Sequence, residues 1–210
     1  PSHFARAALL VDLAALLGTL QRIDAAPTYG RWLSPSVLKT IDQALLWRGS
    51  LEGVRSQRRA GRLNFLLYLA ETAGLAAVQN GFLKPTVSAW TWFTLPPDQQ
   101  WDRLWNALDS DRRTGKLWTI YQLPLVDDSL WEALVHQLAA LAPGDYDSES
   151  LIAALRPYCP ALEPDQLALS VEMLLETVLA WIGCAAWEGD HIRVFTGDFP
   201  APERGTWTIT

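Results

Sequence analysis

The 210 residues are half hydrophobic and 19% charged, which excludes an intrinsically disordered chain and leaves room for one sizeable core or two small ones. The net charge of −6 hides a gradient: residues 1–125 carry 14 Lys and Arg against 9 Asp and Glu, and residues 126–210 carry 3 against 14. A polyanionic partner would meet the first half and be repelled by the second.

Eleven tryptophans are many for this length, and burial in cores or interfaces is where they are expected. Cys159 and Cys184 form no CxxC pair and lack histidines at zinc spacing, so they read as buried free thiols of a cytoplasmic protein. Residues 7–20 are rich in Ala and Leu, but Asp12 interrupts them and the run falls short of a membrane span. No membrane partner is expected.

In chain order, residues 5–23 predict an amphipathic helix striped by Leu9, Leu10, Leu13, Leu16, Leu17 and Leu20. A loop over 24–34 contains Pro27 and Gly30. Ser34-Pro35 then reads as an N-cap with proline at the first helical position, opening a helix to about Trp47. The polar stretch Gly49–Gly61 is either a short helix or a loop. Leu63, Leu66, Leu67, Ala70 and Ala73 fall at helical spacing until Gly74, which is free to take the left-handed conformation that stops a helix. Leu75–Val78 and Phe82–Leu83 flank Asn80-Gly81, a strong hairpin signal. Val87–Phe93 predicts a short aromatic helix, and Asp98–Leu108 another with Trp101, Leu104, Trp105 and Leu108 on one face.

Asp109–Gly115 is the most polar break, so domains are expected over 1–110 and 111–210. Leu117–Leu123 is either a strand or a continuing helix. Helices are expected near 128–142, 148–157 and 164–182, then a hairpin turning at Glu188-Gly189-Asp190, and Trp207–Ile209 as a final strand. Gly183 onward repeats the plan of Gly74 onward, 109 positions later. That period suits two tandem domains of one type.

Arg62-Leu-Asn-Phe-Leu-Leu-Tyr-Leu-Ala-Glu-Thr-Ala-Gly-Leu, then Phe82-Leu-Lys-Pro-Thr, then Trp90 through Leu95-Pro96-Pro97-Asp98 to Trp105, carry a resemblance. The stretch resembles the helicase-associated winged-helix region of bacterial proteins related to the N-terminal part of the XPB helicase. It covers roughly residues 10–108 and weakens beyond 110. The resemblance implies a winged-helix module working with nucleic-acid machinery. The fold expected is therefore mainly α, with tandem winged-helix-like domains and short β-hairpins.

No GxxxxGK[ST] loop, dinucleotide fingerprint or serine nucleophile elbow occurs, so ATP hydrolysis has no motif behind it. Asp145-Tyr-Asp147-Ser-Glu149 resembles the start of a calcium loop but lacks the glycine and the closing glutamate, and reads as a turn and helix N-cap around Asp147 or Ser148. His136 and His191 stand without a catalytic arrangement. Neither enzymatic activity nor a cofactor is expected.

Arginine density at 55–62 points to phosphate contact. The expected nucleic-acid-binding residues are Arg55, Arg58, Arg59, Arg62, Asn64 and Lys84, contacting DNA backbone weakly and without sequence preference. Too few base-reading side chains stand on the 62–74 helix for more, and Glu172 and Glu176 oppose phosphate on its counterpart. The alternative is a protein-interaction scaffold that docks a larger partner through acidic and tryptophan-rich surfaces, Trp92 and Trp101 above all.

Overall fold

A computed structural model describes residues 6–28, 32–112 and 126–195. The chain divides into two compact units, residues 1–114 and 115–210. Among the described residues it is mainly helical, with two small antiparallel sheets. Leu117–Leu123, expected as a strand or a continuing helix, and Trp207–Ile209, expected as a final strand, lie outside the described residues.

The first unit begins with α1 (Arg6–Arg22), whose Leu9, Leu13, Leu16 and Leu20 are fully buried. α2 (Pro35–Ala44) starts where the Ser34 hydroxyl accepts the Val37 N–H and proline sets the first turn. A 3-10 turn, Gln57–Arg59, precedes α3 (Arg62–Thr72). Leu63 to Ala70 of α3 are all buried, so this helix has no solvent face through its middle. Part of its cover is α5 (Pro97–Arg112), to which the Tyr68 hydroxyl donates a 2.5 Å hydrogen bond at Asp111. Burial and the Asp111 carboxylate push the Tyr68 hydroxyl well above its ordinary pKa, so it stays a proton donor.

α3 ends in a Schellman cap. Gly74 has φ +68°, its N–H reaches the Glu71 carbonyl, and the Leu75 N–H reaches Ala70. The hairpin follows as β1 (Ala76–Gln79) and β2 (Phe82–Pro85), with Asn80 (φ 52°) and Gly81 (φ 86°) forming the turn. Both positive φ values suit a two-residue turn matched to strand twist. The Leu83 N–H also bonds the Ala25 carbonyl at 2.8 Å, tying the chain after α1 to the strand. α4 (Val87–Phe93) and α5 complete the unit.

The second unit runs α6 (Asp128–Ala139), β3 (Gly144–Asp147), α7 (Ser148–Leu155), a 3-10 turn Arg156–Tyr158, α8 (Pro164–Glu176), α9 (Val178–Trp181), β4 (Ala185–Glu188) and β5 (His191–Val194). Its sheet has the order β3-β5-β4. Two expectations are corrected. The helix expected over 164–182 breaks at Thr177 (φ −120°, ψ −95°), where the Thr177 hydroxyl bonds back to the Met173 carbonyl. Ser and Thr hydroxyls that bond back in this way bend helices. Asp145–Asp147, read as a turn, belong to the edge strand β3, while Asp147 is the N-cap expected there, accepting the Ser150 N–H at 2.7 Å at the start of α7.

The two hairpins share one register. Ala76↔Pro85 and Gln79↔Phe82 in the first unit become Ala185↔Val194 and Glu188↔His191 in the second, each 109 positions on. The cap repeats as well: Gly183 has φ +82°, and the Cys184 N–H bonds Leu179. Strand closure follows suit, with Thr86 N–H to Leu75 matched by Phe195 N–H to Cys184. Ala25 meets Leu83 where Tyr146 of β3 meets Ile192. Each unit thus runs from a helix, through a segment bonded to the hairpin and further helices, to the hairpin itself. Cys159 and Cys184 are buried and form no disulfide with each other, and burial raises the Cys159 pKa.

Candidate nucleic-acid interface

The connection between α2 and α3, residues 45–61, is built from the inside. α2 stops because Leu45 turns extended (φ −73°, ψ 148°). The buried Asp12 carboxylate of α1 accepts the Leu46 N–H at 2.6 Å through one oxygen and the Arg62 guanidinium at 2.5 Å through the other. Asp42 accepts the Gly49 N–H at 2.9 Å. At the far end Gln57 is 5% exposed, accepts the Leu33 N–H at 2.9 Å and donates to the Asn64 side chain at 3.2 Å. Buried side chains thus hold the backbone of the connection at both ends.

Its outer side is cationic. Arg48, Arg55, Arg58 and Arg59 are exposed there, with Glu52 the acidic residue between them. Arg55 and Arg59 form no ion pair among the described residues. The Arg58 guanidinium lies over the Trp32 ring, 5.2 Å from its centre. The 3-10 turn places Arg58 and Arg59 next to buried Gln57, so the anchor and the charges share one turn.

Three of the six expected phosphate-binding residues, Arg55, Arg58 and Arg59, stand exposed on this connection. The other three do not. Arg62 is committed to Asp12, with its side chain 11% exposed. Asn64 is buried beneath Gln57. The Lys84 ammonium donates to the Ile23 carbonyl at 2.7 Å and reaches Asp24 at 3.3 Å, which ties β2 to the end of α1.

Trp92 and Trp101, expected on a docking face, are core residues, each 1% exposed. The Trp92 ring N–H donates to the Gln100 carbonyl at 3.0 Å, and Trp101 stacks on Trp105 at 5.3 Å with the Arg6 guanidinium 3.7 Å from its centre. Trp90 is the member of this group left half exposed.

No family model matches the chain, nor does any curated protein or solved structure.

The positioning residues Asp12, Asp42 and Gln57 were missed in the sequence. Asp12 offered a signal, since a carboxylate inside a leucine stripe must find a cation or N–H donors. Among the described residues no group of three or more His, Cys, Asp or Glu could hold a metal ion. No helix among them is long and apolar enough to cross a membrane. What the arrangement offers chemically is exposed guanidinium groups on an anchored backbone, which suit phosphate oxygens.

Proposed function

We propose that both units are winged-helix modules and that the first binds polynucleotide backbone, weakly and without sequence preference, through Arg55, Arg58 and Arg59. The observation that carries this reading is the pairing of exposed arginines with a backbone already fixed by Asp12, Asp42 and Gln57. Ordering such a loop before binding removes part of the cost of ordering it on contact. The resemblance to helicase-associated winged-helix regions and the basic balance of the first half support the same reading. The enclosed α3 favours backbone contact over base reading, because none of its buried residues can enter a groove.

Fluorescence anisotropy with DNA at a series of salt concentrations tests the proposal. Three phosphate contacts give a slope of log K against log salt near about −2.7, from roughly −0.9 per contact. The triple variant Arg55→Ala, Arg58→Ala, Arg59→Ala should lose most binding and flatten the slope, whereas Arg193→Ala in the second unit should do neither. Absence of binding by the parent at low salt would pass the reading to a protein-docking module. That second reading keeps one observation: Val87 and Trp90 are 82% and 51% exposed, one turn apart on α4.

A further inference from the structure

Trp32 is a half-buried ring on the basic surface, and its chain position is unusually well held. Thr28 and Trp32 bridge through backbone hydrogen bonds of 2.7 and 3.3 Å, and the Thr28 hydroxyl adds a third at 2.9 Å. The next residue, Leu33, gives its N–H to the buried Gln57 side chain. Gln57 opens the 3-10 turn that carries Arg58, whose guanidinium covers the Trp32 ring. One buried glutamine therefore sets the ring and the cation against each other.

Phosphate recognition alone has no use for an aromatic ring. A planar ring and a planar guanidinium among further cations are the parts with which unpaired bases are bound, because every base has a π-face. In a closed duplex those faces are already stacked.

We propose that Trp32 and Arg58 form a stacking platform for an unpaired base, with Arg55 and Arg59 taking flanking phosphates. The ligand class is then a polynucleotide with exposed bases, a single strand or an opened junction, in preference to closed duplex. This rests on the nucleic-acid reading above and adds a ligand class to it.

The test compares labelled oligothymidine with a blunt duplex of equal nucleotide number at low salt, using the full chain, with circular dichroism to verify folding. The parent should bind oligothymidine more tightly than duplex. Trp32→Ala should weaken oligothymidine binding roughly 5- to 100-fold and duplex binding much less, while Trp32→Phe, which keeps a π-face, should retain most of the preference. Trp32→Leu stands in if the alanine variant does not fold. If the folded variant lacking the ring binds both probes as the parent does, or the parent prefers duplex, the platform is overturned while backbone binding stands. If the triple arginine variant binds both probes as the parent does, the nucleic-acid reading itself falls.

Discussion

Arg62 and Asp12 stand 50 residues apart in sequence and form a 2.5 Å ion pair inside the first unit, the carboxylate fully buried. Asp12 also holds the Leu46 N–H, so one carboxylate joins α1, the start of the α2–α3 connection and α3. Removing either partner leaves a buried charge uncompensated. Arg62→Ala should therefore cost about 3–5 kcal/mol, read as a lower urea midpoint at an unchanged m-value. Arg55→Ala, on the exposed side, should stay within about 0.5 kcal/mol of the parent. Equal, small losses for both would place the Arg62 guanidinium at the surface and return it to the phosphate-binding set.

The tryptophans divide in the same way. Trp92→Ala and Trp101→Ala remove fully buried rings and should each cost about 3–5 kcal/mol. Trp90, half exposed and tilted against Phe93 at 5.9 Å, should cost roughly half as much or less on truncation to alanine. Thermal or urea unfolding ranks the three. A Trp101→Ala variant as stable as the parent would restore that ring to a surface role.

What was legible in the sequence was local. Asn80-Gly81 demands positive φ at both turn positions, and Gly74 and Gly183 stop their helices for the same conformational reason, so hairpins and helix ends could be read directly. Most of the misreadings concern contacts between distant segments, and one concerns a local hydroxyl. The leucine period runs through Thr177 without a mark, and the break depends on a hydroxyl turning back to Met173. Asp145-Tyr-Asp147 has no strand pattern; it is a strand because β5 offers it an edge, with Arg193 bonded to Asp145 across the pair at 2.7 Å. Periodicity gave Trp101 and Trp105 a stripe but could not say what covers it. Likewise Arg62 reads as one of four arginines until Asp12 is placed beside it.

Carboxylates in the second unit should make its stability fall in acid. Asp147 is held below the usual carboxylate range by hydrogen bonds from Ser150, Asp145 by its bond to Arg193, and Asp190 by its bond to His191. A depressed folded value means that the folded chain binds fewer protons than the unfolded one. The stabilisation is complete above the unfolded value of about 3.9 and is lost as pH falls through the lower folded values. Urea midpoints should therefore drop as pH falls from about 5 toward 2. Asp147→Asn keeps an acceptor for the Ser150 N–H and should flatten part of that slope. NMR titration checks the cause, and an Asp147 carboxyl titrating at the ordinary value would refute it.

Two glycines of the first unit separate backbone conformation from packing. A Cβ at Gly18, inside α1, or at Gly74, after α3, would meet nothing within 4 Å. Space is thus equal at the two sites, and conformation decides. Gly18 sits in a helix interior, where alanine is preferred, so Gly18→Ala should raise stability by about 0.5–1 kcal/mol. Gly74 has φ +68°, where a Cβ crowds the neighbouring carbonyl, so Gly74→Ala should lower stability by about 1–2 kcal/mol. Replacing Gly74 with Asn, which tolerates this conformation better, should recover part of the loss. Paired urea melts of the three variants read the signs directly. A neutral or stabilising Gly74→Ala would mean that the Schellman cap does not hold α3 to its hairpin in solution.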